Sequence, residues 1–244
     1  MGAHSVNGLR ATRTAAAVMS FNLVLLAGAG CAGAFTPPAY SATGIQAAVV
    51  DEQTGRPLEG VVVVARWVLR RMGGDGPSLH VAEAVTDSNG RFAFAAWGPK
   101  PRPPLMELQD KSPLLTLFKH GYEPLELRNQ SRARFAALFP RYREMPTREI
   151  KRHMFFGGMP DEAVQESFWD GLTIQLAPFR GTPERWLFLL ETYVTHSLME
   201  DASKLPRFFT VLKAEREHLD KQSLDPALTR KFESFFDQIG RLLR

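Results

Sequence analysis

The chain has 244 residues, 44% of them hydrophobic, enough to close a core and to exclude disorder along its whole length. Its formal net charge is +4, but Arg10 and Arg13 precede the sole cysteine, Cys31. From Cys31 onward 28 basic side chains stand against 26 acidic ones, and a net of +2 excludes a bulk electrostatic case for nucleic acid. One cysteine also excludes an intrachain disulfide and a thiolate zinc cage.

Residues 1–30 have the order of an export signal: positive charge at Arg10 and Arg13, an apolar run from Ala15 to Leu26, then the small residues Ala27-Gly28-Ala29-Gly30 before Cys31. The run is shorter than the roughly 20 residues of a membrane span. The small residues with Cys31 resemble the lipobox of bacterial lipoproteins, with Gly28 where such motifs place Leu. The resemblance implies a lipid on Cys31, a membrane contact through it and a periplasm-facing protein of the cell envelope. Cleavage after Ala29 or Ala34, giving a soluble exported protein, stays open. Residues 31–43, with Pro37 and Pro38, read as a tether.

From residue 44 the hydrophobic period is two. Ile45, Ala47 and Val49 share one face of a first strand, ended by the turn Asp51 to Pro57. In a second strand Val61, Val63, Ala65, Trp67 and Leu69 alternate with Val62, Val64, Arg66, Val68 and Arg70, so its first half is apolar on both faces. A third strand from Leu79 to Thr86 meets Phe92 and Phe94 of a fourth across Asp87-Ser88-Asn89-Gly90, a hairpin turn. A fifth runs from Leu114 to Lys119. Gly90 and Gly121 are expected at positive φ.

Val49-Val50-Asp51, Thr54-Gly55, Pro57-Leu58, Gly60-Val61, Thr86-Asp87, Gly90-Arg91-Phe92 and Lys119-His120-Gly121-Tyr122-Glu123 stand in the order seen in the carboxypeptidase regulatory-like domain, which the chain resembles over residues 44–128. The resemblance implies a transthyretin-like β-sandwich over 44–179. A helical insertion is expected at about 130–170 and a closing strand at Gly171 to Leu176. It also implies an accessory, non-catalytic module.

Residues 180–244 switch to helical periodicity and predict a three-helix C-terminal segment. Thr182 caps and Pro183 opens the first helix, with Trp186, Leu189, Leu190, Tyr193 and Leu198 in its stripe. Phe208, Phe209 and Leu212 mark the second. Leu228, Phe232, Phe235, Phe236 and Ile239 mark the third.

Candidate chemistry is sparse. His80 and Glu83 spell a zinc-carboxypeptidase pattern, but on a strand they face opposite sides. His196 with Glu200, and Glu215 with His218, have helical spacings read as surface ion pairs. Arg132, Arg134, Arg141, Arg143, Arg148, Lys151 and Arg152 against Glu144 and Glu149 give a local +5, a possible contact with anionic lipid, cell-wall polymer or an acidic envelope protein. No catalytic, cofactor or metal set is recognised, and no cofactor is expected. The reading is a lipid-anchored, non-catalytic envelope protein acting in binding or structural support. An accessory subunit docking through its helices is one alternative. An enzyme is the other, expected if a pocket gathers several of His120, His153, Asp161 and Glu162.

Overall fold

The computed structural model describes residues 39–71, 74–109, 112–129, 164–195, 198–219 and 224–242. The chain is mostly β-sheet, with helices gathered at the C-terminal end. Its strands are β1 (Ala39–Ala42), β2 (Ile45–Asp51), β3 (Val62–Arg71), β4 (Gly74–Val85), β5 (Arg91–Phe94), β6 (Trp97–Pro101), β7 (Glu107–Leu108), β8 (Leu114–Phe118), β9 (Leu125–Arg128), β10 (Val164–Gln165) and β11 (Thr173–Leu176). They form three sheets, ordered β10-β1-β6, β11-β2-β5 and β4-β3-β8-β9, with β7 also on β3.

The alternation along β3 decides how the sheets stack. Val61, Val63, Ala65, Trp67 and Leu69 join Ile45, Ala47, Val49, Phe92, Phe94, Ile174 and Leu176 of the second sheet in one sandwich-like core. Val62 and Val64, between them, point the other way and join Phe118 of β8 in a second core with the helices. Central β3, hydrogen-bonded to β4 and β8 at its edges, is therefore buried on both faces.

Turn chemistry fixes the register. The Asp51 carboxylate accepts the Gln53 and Thr54 amides at 2.9 and 2.7 Å and the Tyr122 hydroxyl at 3.0 Å, and these hydrogen bonds, the Thr54 amide first, hold it below the ordinary carboxylate range. Asp87 accepts the amides of Asn89 and Arg91 at 2.9 and 2.8 Å, which gives the β4–β5 turn its shape. Gly90 and Gly121 sit at φ +71° and +79°.

The helices are α1 (Pro183–Leu190), continued by a π-helical turn Glu191–Thr195, a 3₁₀ segment Met199–Lys204, α2 (Pro206–Leu219) and α3 (Pro226–Leu242). Thr182 caps α1 through the Arg185 amide, and Asp225 caps α3 through the Ala227 amide at 2.8 Å. Leu205 has no side-chain oxygen with which to cap α2. Glu83 of β4 does so instead, accepting the Arg207 and Phe208 amides at 2.7 and 3.1 Å. Asp201 closes the same seam, 4.0 Å from the Arg66 guanidinium, 2.6 Å from the Ser78 hydroxyl and 2.8 Å from Lys204 Nζ.

Two boundaries differ from the sequence reading. The segment read as a tether to residue 43 is strand from Ala39, because Tyr40 and Ala42 alternate into the core and the Tyr40 hydroxyl accepts the Leu108 amide at 3.4 Å. The end of the expected insertion is core as well. Phe168 and Trp169 are buried, and Asn129 binds the carbonyls of Ser112 and Glu166 and the Phe168 amide.

A Cβ at Gly90 would stand 2.4 Å from the Val49 carbonyl oxygen, whereas one at Gly121 meets nothing within 4 Å. Gly90→Ala is therefore expected to cost roughly 3 kcal/mol in urea unfolding and Gly121→Ala about 1 kcal/mol, the latter from φ alone. Equal losses would contradict this account of the hairpin.

Candidate functional site

The turn after β8, the segment entering α1 and the last turns of α2 enclose a cavity of about 210 Å³, lined by His120, Gly121, Phe179, Gly181, Pro183, Trp186, Glu215 and Leu219. The Phe179 amide donates to the Gly121 carbonyl at 2.8 Å, holding the two walls together. Glu215 lies on the apolar stripe of α2 with Phe208, Leu212 and Leu219, and is only 3% exposed.

A carboxylate buried so far must be matched by donors. The Trp186 indole N–H donates to its Oε1 at 2.8 Å, and His120 Nδ1 lies 2.7 Å from its Oε2. An indole N–H can only donate, so Oε1 is the acceptor of that bond. The His120 ring is about half exposed (48%). The His218 ring lies 3.9 Å from that of His120, centroid to centroid.

Of the four residues expected to mark an enzyme pocket, His120 lines the cavity. His153, Asp161 and Glu162 lie outside the described residues, as do His196, Cys31 and the basic set Arg132, Arg134, Arg141, Arg143, Arg148, Lys151 and Arg152. Glu215 is no surface residue: its place among Phe208, Leu212 and Leu219 buries it. Its phase within that stripe was the available signal, since a charge there must have a partner from elsewhere in the fold.

His80 and Glu83 serve different layers. Glu83 caps α2, while His80 stacks 5.2 Å from Trp67 and 4.9 Å from Trp97, with Lys100 Nζ 2.9 Å from its Nδ1. Burial first, then the Lys100 and Lys204 charges, push the His80 imidazole down to about 4. Among the described residues no group of three or more His, Cys, Asp or Glu could hold one metal ion. A larger, shallow groove lies over β2, β5 and β11, but two of its carboxylates, Glu83 and Asp87, are engaged in the helix cap and the hairpin turn.

No protein-family model and no curated protein matches the chain. Solved structures that it is similar to include a 3-chlorocatechol 1,2-dioxygenase from Rhodococcus opacus (20% identity over 40% of this chain and 46% of that one, TM-score 0.26). Others are an intradiol ring-cleavage dioxygenase from Tetranychus urticae (13%, 60% and 85%, 0.31) and a chlorocatechol 1,2-dioxygenase from Pseudomonas putida (15%, 58% and 61%, 0.29). The match thus spans under half of the first of these proteins.

These neighbours are dioxygenases, not carboxypeptidase regulatory-like domain proteins. The family resemblance is corrected accordingly, and with it the description of the chain as a carboxypeptidase regulatory-like module and its reading as a non-catalytic protein. Likenesses of this size leave the chain's own activity to be argued from its own side chains.

Two outcomes test this description. Glu215→Ala, which strands the buried Trp186 N–H and opens a void, is expected to cost about 2–4 kcal/mol in chemical denaturation, and Glu215→Gln, which keeps an acceptor, clearly less. For His80 the unfolded chain binds the extra proton between about 4 and the free value of 6.5, so stability is full above 6.5 and falls as pH drops towards 4. The full shift corresponds to roughly 3 kcal/mol, reduced to on the order of 1 kcal/mol by the ring's exposure. His80→Phe should remove that part of the difference between unfolding at pH 7 and at pH 4.5.

Proposed function

We propose that the chain is an enzyme and that His120 is its general base. The observation that carries this reading is the buried Glu215 carboxylate holding His120 Nδ1 at 2.7 Å at the edge of an apolar cavity. Such an arrangement fixes one tautomer, presents Nε2 as the proton acceptor and stabilises the imidazolium that forms. Trp186, by occupying Oε1, leaves Oε2 to orient the imidazole. Among the described residues no Ser, Thr, Cys or Lys lines the cavity, so Nε2 would act on water or directly on a proton of the substrate. A cavity of about 210 Å³ walled by Phe179, Pro183, Trp186 and Leu219 suits a small apolar molecule, or the end of a longer one, and hydrolysis by an activated water is the most direct reaction. The frame is read as a β-sandwich with helices on its outer face.

We further propose that the protein works outside the cytoplasm, held at a membrane through Cys31, on the strength of the charge, apolar-run and small-residue order of residues 1–31. The basic residues between Arg132 and Arg152 would face its anionic surface.

The test is turnover of short-chain aryl esters by wild type, His120→Gln and Glu215→Gln. Loss of His120 should lower kcat by about 10²–10⁴. Glu215→Gln should do the same by reversing the tautomer, with Nε2 rather than Nδ1 protonated in the ¹⁵N spectrum of His120. A wild-type spectrum with the neutral ring protonated on Nε2 would sink the assignment whatever the substrate.

A further inference from the structure

Leu105 is 94% exposed and its backbone lies at φ +59°, a conformation that a leucine adopts only at a cost. Singly exposed leucines are ordinary. This one is held out by its surroundings. Pro103 and Pro104 stiffen the approach, the Met106 amide donates to the Pro103 carbonyl at 3.3 Å, and Arg102 ties the loop's far side through the Met106 carbonyl and Glu107, both at 2.9 Å.

The loop also sits where the N-terminal segment enters the fold. Ala39 pairs with Pro101, so the first described residue lies beside the start of the 102–106 loop. Val164, 51% exposed, is on the same small sheet, opposite Ser41. Arg70 pairs with Glu107, which brings the exposed Arg71 to this end of the molecule. Cys31 is eight residues from Ala39, so a chain held through Cys31 keeps this end within about 28 Å of its attachment point.

We propose that the 102–106 loop is a membrane-contact tip: Leu105 enters the headgroup–acyl boundary of the bilayer that holds Cys31, with Arg71 towards anionic lipid phosphates. The proposal rests on the membrane attachment through Cys31, and it gives the tethered body one orientation instead of many. An apolar tip beside a basic side chain is the chemistry of an interfacial lipid contact.

Cys31 is the sole cysteine, so the full chain carrying Cys31→Ser and Leu105→Cys has one thiol for an environment-sensitive fluorophore. A second chain carries Cys31→Ser and Ser234→Cys on exposed α3. Both are titrated with vesicles of phosphatidylcholine and phosphatidylglycerol. The expected result is a blue shift for the label at position 105 and none at 234. Unlabelled Leu105→Ser should partition onto the vesicles about tenfold less well. No shift at 105 across the titration, or the same shift at 234, overturns the proposal. The mass of the Cys31 peptide from membranes tests the attachment separately: an unmodified Cys31 with a shift at 105 would remove the anchor and keep the tip.

Discussion

From Val62 to Leu69 β3 has no face in water, and the rest of the fold depends on that. One set of its side chains must fill the space between two sheets while the alternate set fills the space under the helices, so a shift of one residue would exchange the two sets. Val62 and Val64 can serve either side, but Trp67 and Arg66 cannot. Trp67 needs the large interior shared with Trp97, and Arg66 needs Asp201 from the 3₁₀ segment. Burial draws the Arg66 guanidinium below its ordinary value, and Asp201 opposes that loss. The ion pair marks the buried position at which the helical side of the strand carries charge.

The candidate site follows from this layering. His120 comes from the turn after β8, a strand registered on β3, whereas Trp186 and Glu215 come from helices packed on the opposite side of the same seam. His120 and Glu215 are 95 residues apart in sequence. The His120–Glu215 contact exists only when the helices are docked, so the geometry of the proposed site and the layer packing form one structural condition.

How much of this was legible can be judged residue by residue. Period-two patterns exposed β2, β3, β5 and β8, and turn chemistry located the Asp87–Gly90 hairpin, since both are local effects. β1 and β6 escaped because Pro37, Pro38, Pro99 and Pro101 look like loop, and proline is compatible with the short edge of a small sheet. The stripe from Trp186 to Leu198 suggested one helix, but the chain widens into a π turn after Leu190, where the Thr192 hydroxyl bonds back to the Phe188 carbonyl at 2.7 Å. The family resemblance failed for a physical reason. Asp, Asn and Gly at hairpin turns recur wherever strands must reverse, so a series of them in order describes strand connections more than ancestry. The Glu215–His120 pair had no local signature at all.

α2 begins with no residue of its own able to hold its first amides, and the carboxylate that does so sits on β4, 124 residues earlier. A helix started this way is not an autonomous folding unit. Its first turn is stabilised only once β4 is paired and presenting Glu83, so sheet formation precedes helix consolidation. During synthesis from the N-terminus this order comes naturally, because the acceptor is already waiting when Arg207 and Phe208 emerge. Cut apart and presented alone, residues 206–219 would lose their start site, and the helical layer would assemble late, templated by the sheet it covers.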